Sequence, residues 1–234
     1  MLLRCVGVFA LLATRNADTA TTVGSTAPDP DALWQIVSTC IGTQSTNYCT
    51  CPIFSRSCCG DTATPDADVV LATTREFVAI RDMKTCGCPD DLVAALAIPR
   101  ARVTGIEDPA RPEGIWAFAW DVGRSRIKDD DAIALVINPR SMRTQNQFHI
   151  HILRIRPDAR TQLERLDVGP SGQGMIIVPV ADLGRVFAAV VSALGTDQIG
   201  DRGILVMRAP DDGTFRAVVT DHFSPELFAI SKCR

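Results

Sequence analysis

The segment Gln147-Phe148-His149-Ile150-His151-Ile152 constrains the chain more than any other. Polar and apolar residues alternate along it with the two-residue period of a β-strand, so one row of side chains belongs in a core and the other carries Gln147, His149 and His151. One face of this strand is therefore chemical. The alternation fails after Ile152, because Leu153 and Ile155 fall on the histidine side, and this predicts a bulge or a strand end there.

The flanking segments supply the rest of a sheet. An apolar run, Ala132 to Ile137, stops at Asn138-Pro139, and a basic polar loop from Arg140 to Asn146 leads into the histidine strand. Asp68 to Leu71, Phe77 to Ile80, Asp91 to Ile98 and Met175 to Val180 also read as strands. Gly203 to Arg208 and Thr214 to Thr220 flank Asp211-Asp212-Gly213, a hairpin signal. Helices are expected over 32–41 with Asp31 as cap, over Pro112 to Ile127, from Asp158 as cap to Leu166, and from Ala181 to Leu194 before Gly195. Gly169 to Gly174 reads as a flexible link, and Trp116 and Trp120 read as core. The expected class is α+β, an antiparallel sheet with packed helices.

With 234 residues, 46% of them hydrophobic, the chain can bury a core as one large domain or two small ones. A net charge of −3 without long runs of one sign argues against nucleic acid as a partner. Arg4, the apolar stretch Cys5 to Ala13 and a polar tail to Asp31 resemble an export signal, and the stretch is far shorter than the ~20 residues of a spanning helix. There are nine cysteines, and eight remain once Cys5 is set aside with that signal. Cys40, Cys49, Cys51, Cys58, Cys59, Cys86 and Cys88 crowd a loop-rich stretch, with Cys233 apart. They fit disulfides in an oxidising compartment better than zinc, because the two-residue gaps of zinc knuckles are missing.

Two histidines on one face of a strand allow three readings: a nucleophile with a proton-donating partner, a metal pair, or structural histidines. The loop ahead of them carries Arg140 and Arg143, guanidinium groups suited to a pyrophosphate. His222, beside Asp221, reads as a solvated loop residue.

The block from Asn138-Pro139-Arg140-Ser141 through Gln145-Asn146-Gln147-Phe148-His149-Ile150-His151-Ile152 to Arg154-Ile155-Arg156-Pro157-Asp158 resembles the centre of bacterial CDP-diacylglycerol pyrophosphatases, within the histidine-triad superfamily. Leu33-Trp34-Gln35-Ile36-Val37 with Cys40, the run Ile98 to Glu107, and Trp116 with Trp120 follow the same order. The resemblance implies a histidine-triad-like domain over 31–234, preceded at 1–30 by an export signal or membrane anchor with a polar linker. It implies an exported enzyme at the cell inner membrane or in the periplasm. Its substrate would be a lipid nucleotide held at a membrane surface, with CMP and phosphatidate as products.

In the superfamily pattern His-φ-His-φ-His-φ-φ, with φ apolar, His149 takes the place of the nucleophile that forms a nucleotidyl intermediate and His151 that of the last histidine. Gln147 stands where the first belongs; an amide hydrogen-bonds there but cannot change protonation state near neutral pH. The resemblance places Asn138, Gln145 and Asn146 around the phosphates and implies no metal or cofactor. Two readings stand beside it. One is a soluble nucleotidyl hydrolase or transferase acting on dinucleotides or nucleotide sugars, and the other a weakened nucleotide- or lipid-binding protein.

Overall fold

The computed structural model describes residues 29–41, 70–82, 94–172, 174–210 and 213–230. The predicted signal, all cysteines except Cys40, and the starts of two predicted strands at Asp68 and Asp91 lie outside these residues, as do Asp211 and Asp212 of the hairpin turn. Cys40 is buried and disulfide-bonded.

Ten strands form one sheet: β1 (Val70–Thr73), β2 (Phe77–Arg81), β3 (Ala95–Pro99), β4 (Ile133–Ile137), β5 (Ile150–Ile155), β6 (Gly169–Gly172), β7 (Met175–Val180), β8 (Arg202–Arg208), β9 (Phe215–Asp221) and β10 (Ala229–Ile230). Their order is β1-β2-β3-β5-β4-β8-β9-β7-β6, and β10 pairs with β5. Every pairing is antiparallel, as the α+β expectation required. The helices are α1 (Ala32–Gln35), which widens into π-type turns over Ile36–Ile41, α2 (Ile115–Arg126), α3 (Pro157–Glu164) and α4 (Val186–Leu194).

The strand period of two sorts side chains between two unlike faces. On one, Ile150 and Ile152 join Ala95, Ala97, Ile133, Leu135, Ile204 and Val206 beneath α2 and α4, with Trp116 and Trp120 in the same core. Gly123 brings α2 down onto β4 and β5, since a Cβ there would stand 3.1 Å from Ile133 Cγ2 and 3.4 Å from Ile152 Cγ2. Each of these buried isoleucine, leucine and valine side chains contributes about 1.5–3 kcal/mol. β5 is therefore backed by a dense layer directly behind the histidines.

The opposite face carries two separate apolar clusters. One packs Leu33, Ile36 and Val37 onto Val78, Ile80, Leu96 and Ile98. The other packs Leu163 of α3 and Phe228 onto Ala134, Val136, Leu153, Ile155 and Leu205. His151 pairs across the sheet with Leu96 of the first cluster and Val136 of the second, so the histidines lie in the gap between them.

Several local expectations change. β5 runs to Ile155 in unbroken register with β4, with no bulge: Leu153 and Ile155 are apolar because α3 covers them. Asp31 makes no side-chain cap on α1; its carboxylate accepts from Arg102 (2.9 Å) and Asn146 (3.2 Å). Asp158 lies inside the first turn of α3 and binds Arg156 rather than capping. The Gly169–Gly172 segment is an edge strand on β7, not a link. The helix after β7 starts at Val186, behind a tight turn over Leu183–Arg185 capped by Asp182, and ends at Gly195 with φ +66°.

Candidate active site

His149, just before β5, and His151, its second residue, stand with ring centroids 4.8 Å apart, in an edge-to-face arrangement. His151 is buried, and half-buried His149 lines a small cleft. The cleft is lined by Gly105, Ile137, Asn138, Arg143, Gln145 and Gln147, among others.

The tautomer of His149 follows from its neighbour. Its Nδ1 lies 2.8 Å from the carbonyl oxygen of Gln147. A carbonyl only accepts, so Nδ1 carries the hydrogen and the neutral ring keeps its lone pair on Nε2.

Gln147 is itself wedged in place. Its amide donates to the carbonyls of Pro99 (3.1 Å) and Ala101 (2.8 Å), and its Oε1 accepts from the Val103 amide (3.4 Å). It ties the turn after β3 to the histidine strand, helped by the bond from Phe148 N to Val103 O and the bridge to Thr104. A side chain 2% exposed with these three partners is a structural clasp, and the backbone carbonyl of the same residue orients the His149 ring.

The residues from Val103 to Asp108 wall one side. Glu107 holds Arg143 Nη1 at 2.6 Å in a partly buried ion pair. The guanidinium lies over Gly105, where a Cβ would come within 1.7 Å of Nη1 and where φ is +71°. Asp108 fastens the turn by accepting from the Thr104 amide (2.8 Å) and the Ala110 amide (2.9 Å). These backbone bonds, with a smaller contribution from Arg111, hold its carboxyl below the ordinary carboxylate range.

The remaining predicted residues divide. Arg143 and Asn138 reach the cleft. Gln145 reaches it too but is committed to α1, with Oε1 accepting from the Leu33 amide (2.9 Å) and Nε2 donating to Asp29 O (3.0 Å). Asn146 turns to Asp31, and Arg140 pairs with Asp201 at 3.3 Å on the surface; neither lines the cleft. His222 sits on an exposed turn, 3.3 Å from Asp221.

The sequence reading missed the opposite wall. The turn Pro225–Phe228 places Glu226 Oε1 3.2 Å from His151 Nε2, and the same oxygen accepts from Asn138. Ser224 donates to Asn138 Oδ1 and accepts from the Glu226 amide (3.2 Å). The only local trace of this is Ser224-Pro225, a capping residue followed by a first-turn proline. Its contact across 75 residues with His151 has no signature in the sequence. Among the described residues, no group of three or more His, Cys, Asp or Glu side chains is arranged to hold a metal ion.

A protein-family model described as CDP-diacylglycerol pyrophosphatase matches residues 28–171. The match takes in the histidine pair, Arg143, Gly105 and Glu107, and ends before Glu226. Among solved structures, a DUF4931 family protein from Bacillus cereus ATCC 10987 aligns with 12% identity and a TM-score of 0.45, over 67% of this chain and 88% of its own.

Proposed function

The chain belongs to the CDP-diacylglycerol pyrophosphatase family and hydrolyses the phosphoanhydride of CDP-diacylglycerol; from that premise we propose that His149 is the nucleophile and His151 the proton donor of a two-step reaction. The observation that carries the assignment is the Nδ1–carbonyl bond of His149, a residue lining the cleft, since that bond sets the tautomer of the neutral ring. In the first step Nε2 attacks the cytidylyl phosphorus and the bond to the bridging oxygen breaks. That oxygen keeps the electron pair, takes a proton from the His151 imidazolium and leaves on phosphatidate. In the second step water attacks the phosphorus, neutral His151 takes its proton, and the P–N bond breaks to release CMP.

Arg143 and Asn138 are assigned to the diphosphate. A guanidinium fixed from behind by Glu107 is pre-oriented for charge that develops on phosphoryl oxygens. Gln145 shapes the cleft from the α1 side, while Asn146 and Arg140 act outside it, as a buckle to Asp31 and as a surface charge.

The same reading extends to place. The segment before Asp29 contains the apolar stretch Cys5 to Ala13, and the chain emerges from it beside Gln145 at the cleft rim. Met142 and Leu227, two exposed large apolar side chains, stand on the two loops flanking the histidine pair. We assign these features to a membrane surface that presents the lipid substrate. Among the described residues no helix is long and apolar enough to cross a membrane. Export and a disulfide-stapled region between Cys40 and Cys88 belong to this proposal, supported by the bonded state of Cys40.

The test is mass spectrometry of protein quenched during turnover of CDP-diacylglycerol. A CMP adduct on the peptide containing His149, absent in His149→Ala, is the expected result. Full turnover by His149→Ala would remove the assignment. Loss of turnover on treatment with a strong chelator would favour the metal reading of the same histidines.

A further inference from the structure

We infer that Glu226 is the positioning residue of this site: its carboxylate orients the His151 ring and holds it in the charged form from which it gives up a proton. The inference rests on the proposed role of His151 and adds a residue beyond the matched family segment.

Glu226 is delivered to His151 by an arrangement anchored at both ends. After β9 the chain turns at His222, a non-glycine residue with φ +59°, and folds back over the sheet. Gly203 on β8 makes room for that return. A Cβ there would stand 2.4 Å from Thr220 Oγ1, 2.5 Å from Pro225 Cδ and 2.9 Å from the Phe223 carbonyl oxygen, two of these in the returning segment. Thr220, fully buried, donates its hydroxyl to that same carbonyl at 2.6 Å. Beyond the turn, β10 pairs with β5 through Ala229 and Ile230, opposite Ile155 and Arg154, and the Arg156 amide donates to Phe228 O. A strand that carries the histidines thus also fixes the segment carrying their carboxylate.

The carboxylate only accepts, so the Nε2 hydrogen of His151 points at it. On this inference the proton passed to the leaving oxygen is the one on Nδ1. Around the ring, β3 presents Leu96 and β4 presents Val136, both apolar, while Asn138 is neutral. His149, 4.8 Å away between ring centroids, and Glu226 are titratable groups against it. Burial between apolar neighbours and a second imidazole both disfavour the imidazolium, and the carboxylate is the group that offsets them. Asn138 donates to that carboxylate and is itself held by the Ser224 hydroxyl.

The experiment compares wild type with Glu226→Gln, which keeps the shape and removes the charge. Only three histidines occur in the chain, so each imidazole titration is resolvable by NMR with His222→Asn as an assignment aid. The His151 midpoint is expected to fall by about one pH unit in Glu226→Gln, and the basic limb of the kcat profile for CMP release to move the same way. KM is expected to change less than twofold, and Glu226→Asp to recover part of the loss. An unchanged His151 midpoint and basic limb in a variant with a wild-type melting temperature would overturn the inference. That outcome is distinct from failure of the parent reading, which would instead appear as a fully active His149→Ala.

Discussion

The two walls of the cleft reach neighbouring histidines by different means. On the His149 side, the turn from Val103 to Asp108 is held by side chain-to-backbone bonds and brings up Arg143 paired with Glu107. On the His151 side, the segment from His222 to Ile230 is held by strand pairing and by the space at Gly203, and brings up a carboxylate. Under the proposed mechanism, one wall presents positive charge to the diphosphate oxygens, and the other presents negative charge to the proton donor. Because the two rings are adjacent on one strand, the difference between the walls is what gives chemically identical side chains different tasks.

The sharpest way to break this comparison is to remove each histidine in turn. His149→Ala removes the proposed covalent nucleophile and is expected to lower kcat for CMP release by on the order of 10⁴-fold or more. His151→Ala should cost about 10²–10⁴-fold and still allow the CMP adduct to form slowly. Equal losses, with no adduct in either variant, would mean that the two rings act as one unit.

The walls can next be tested separately. Gly105→Ala places a methyl group against the Arg143 guanidinium in a backbone conformation that alanine rarely adopts. Its effect should match that of Arg143→Ala, about a 10- to 100-fold loss in kcat/KM, the worth of one charge-assisted hydrogen bond. Gly203→Ala acts on the other wall, pushing Pro225 and the Phe223 carbonyl away and Glu226 with them. It should reduce kcat about tenfold at alkaline pH while leaving KM almost unchanged, whereas Gly105→Ala should raise KM. The same response in both variants would dissolve the distinction between the walls.

What the sequence made legible follows the same division. The alternation at 147–152 located the histidine face, and the basic loop before it contained Arg143, because local period and residue type carry that information. Glu107, Gly105 and Glu226 were invisible as site residues, since their positions depend on turns that bring distant segments together. The failed alternation at Leu153 and Ile155 was legible as a pattern but was misread as a bulge or a strand end. It reports the covering helix α3, a tertiary fact written into strand residues.

Gln147 shows how a superfamily pattern and local packing part ways. A histidine at 147 would complete the motif, yet a neutral imidazole has one donor where the amide supplies two, to Pro99 and Ala101. Gln147→His is therefore expected to lower stability by about 1–3 kcal/mol in denaturant titration and to leave kcat no higher. A faster, equally stable variant would show that the glutamine is a catalytic compromise rather than a clasp.

The smallest expected effect concerns how the His149-side wall responds to acid. Asp108 is held below the ordinary carboxylate range by the Thr104 and Ala110 amides, with Arg111 adding to them. A carboxyl lowered in the folded state stabilises that state fully above its unfolded value, and the contribution disappears as pH falls through the lowered one. Asp108→Asn lacks the charge at every pH. The stability gap between wild type and Asp108→Asn, read from denaturant melts across pH, should thus be constant near neutrality, narrow below the usual carboxylate range and close in stronger acid. The wall on the His151 side is not fastened through Asp108, so the basic limb of the activity profile should be the same in both proteins. A gap that widened in acid would mean that the turn from Val103 to Asp108 is held by something other than this carboxylate.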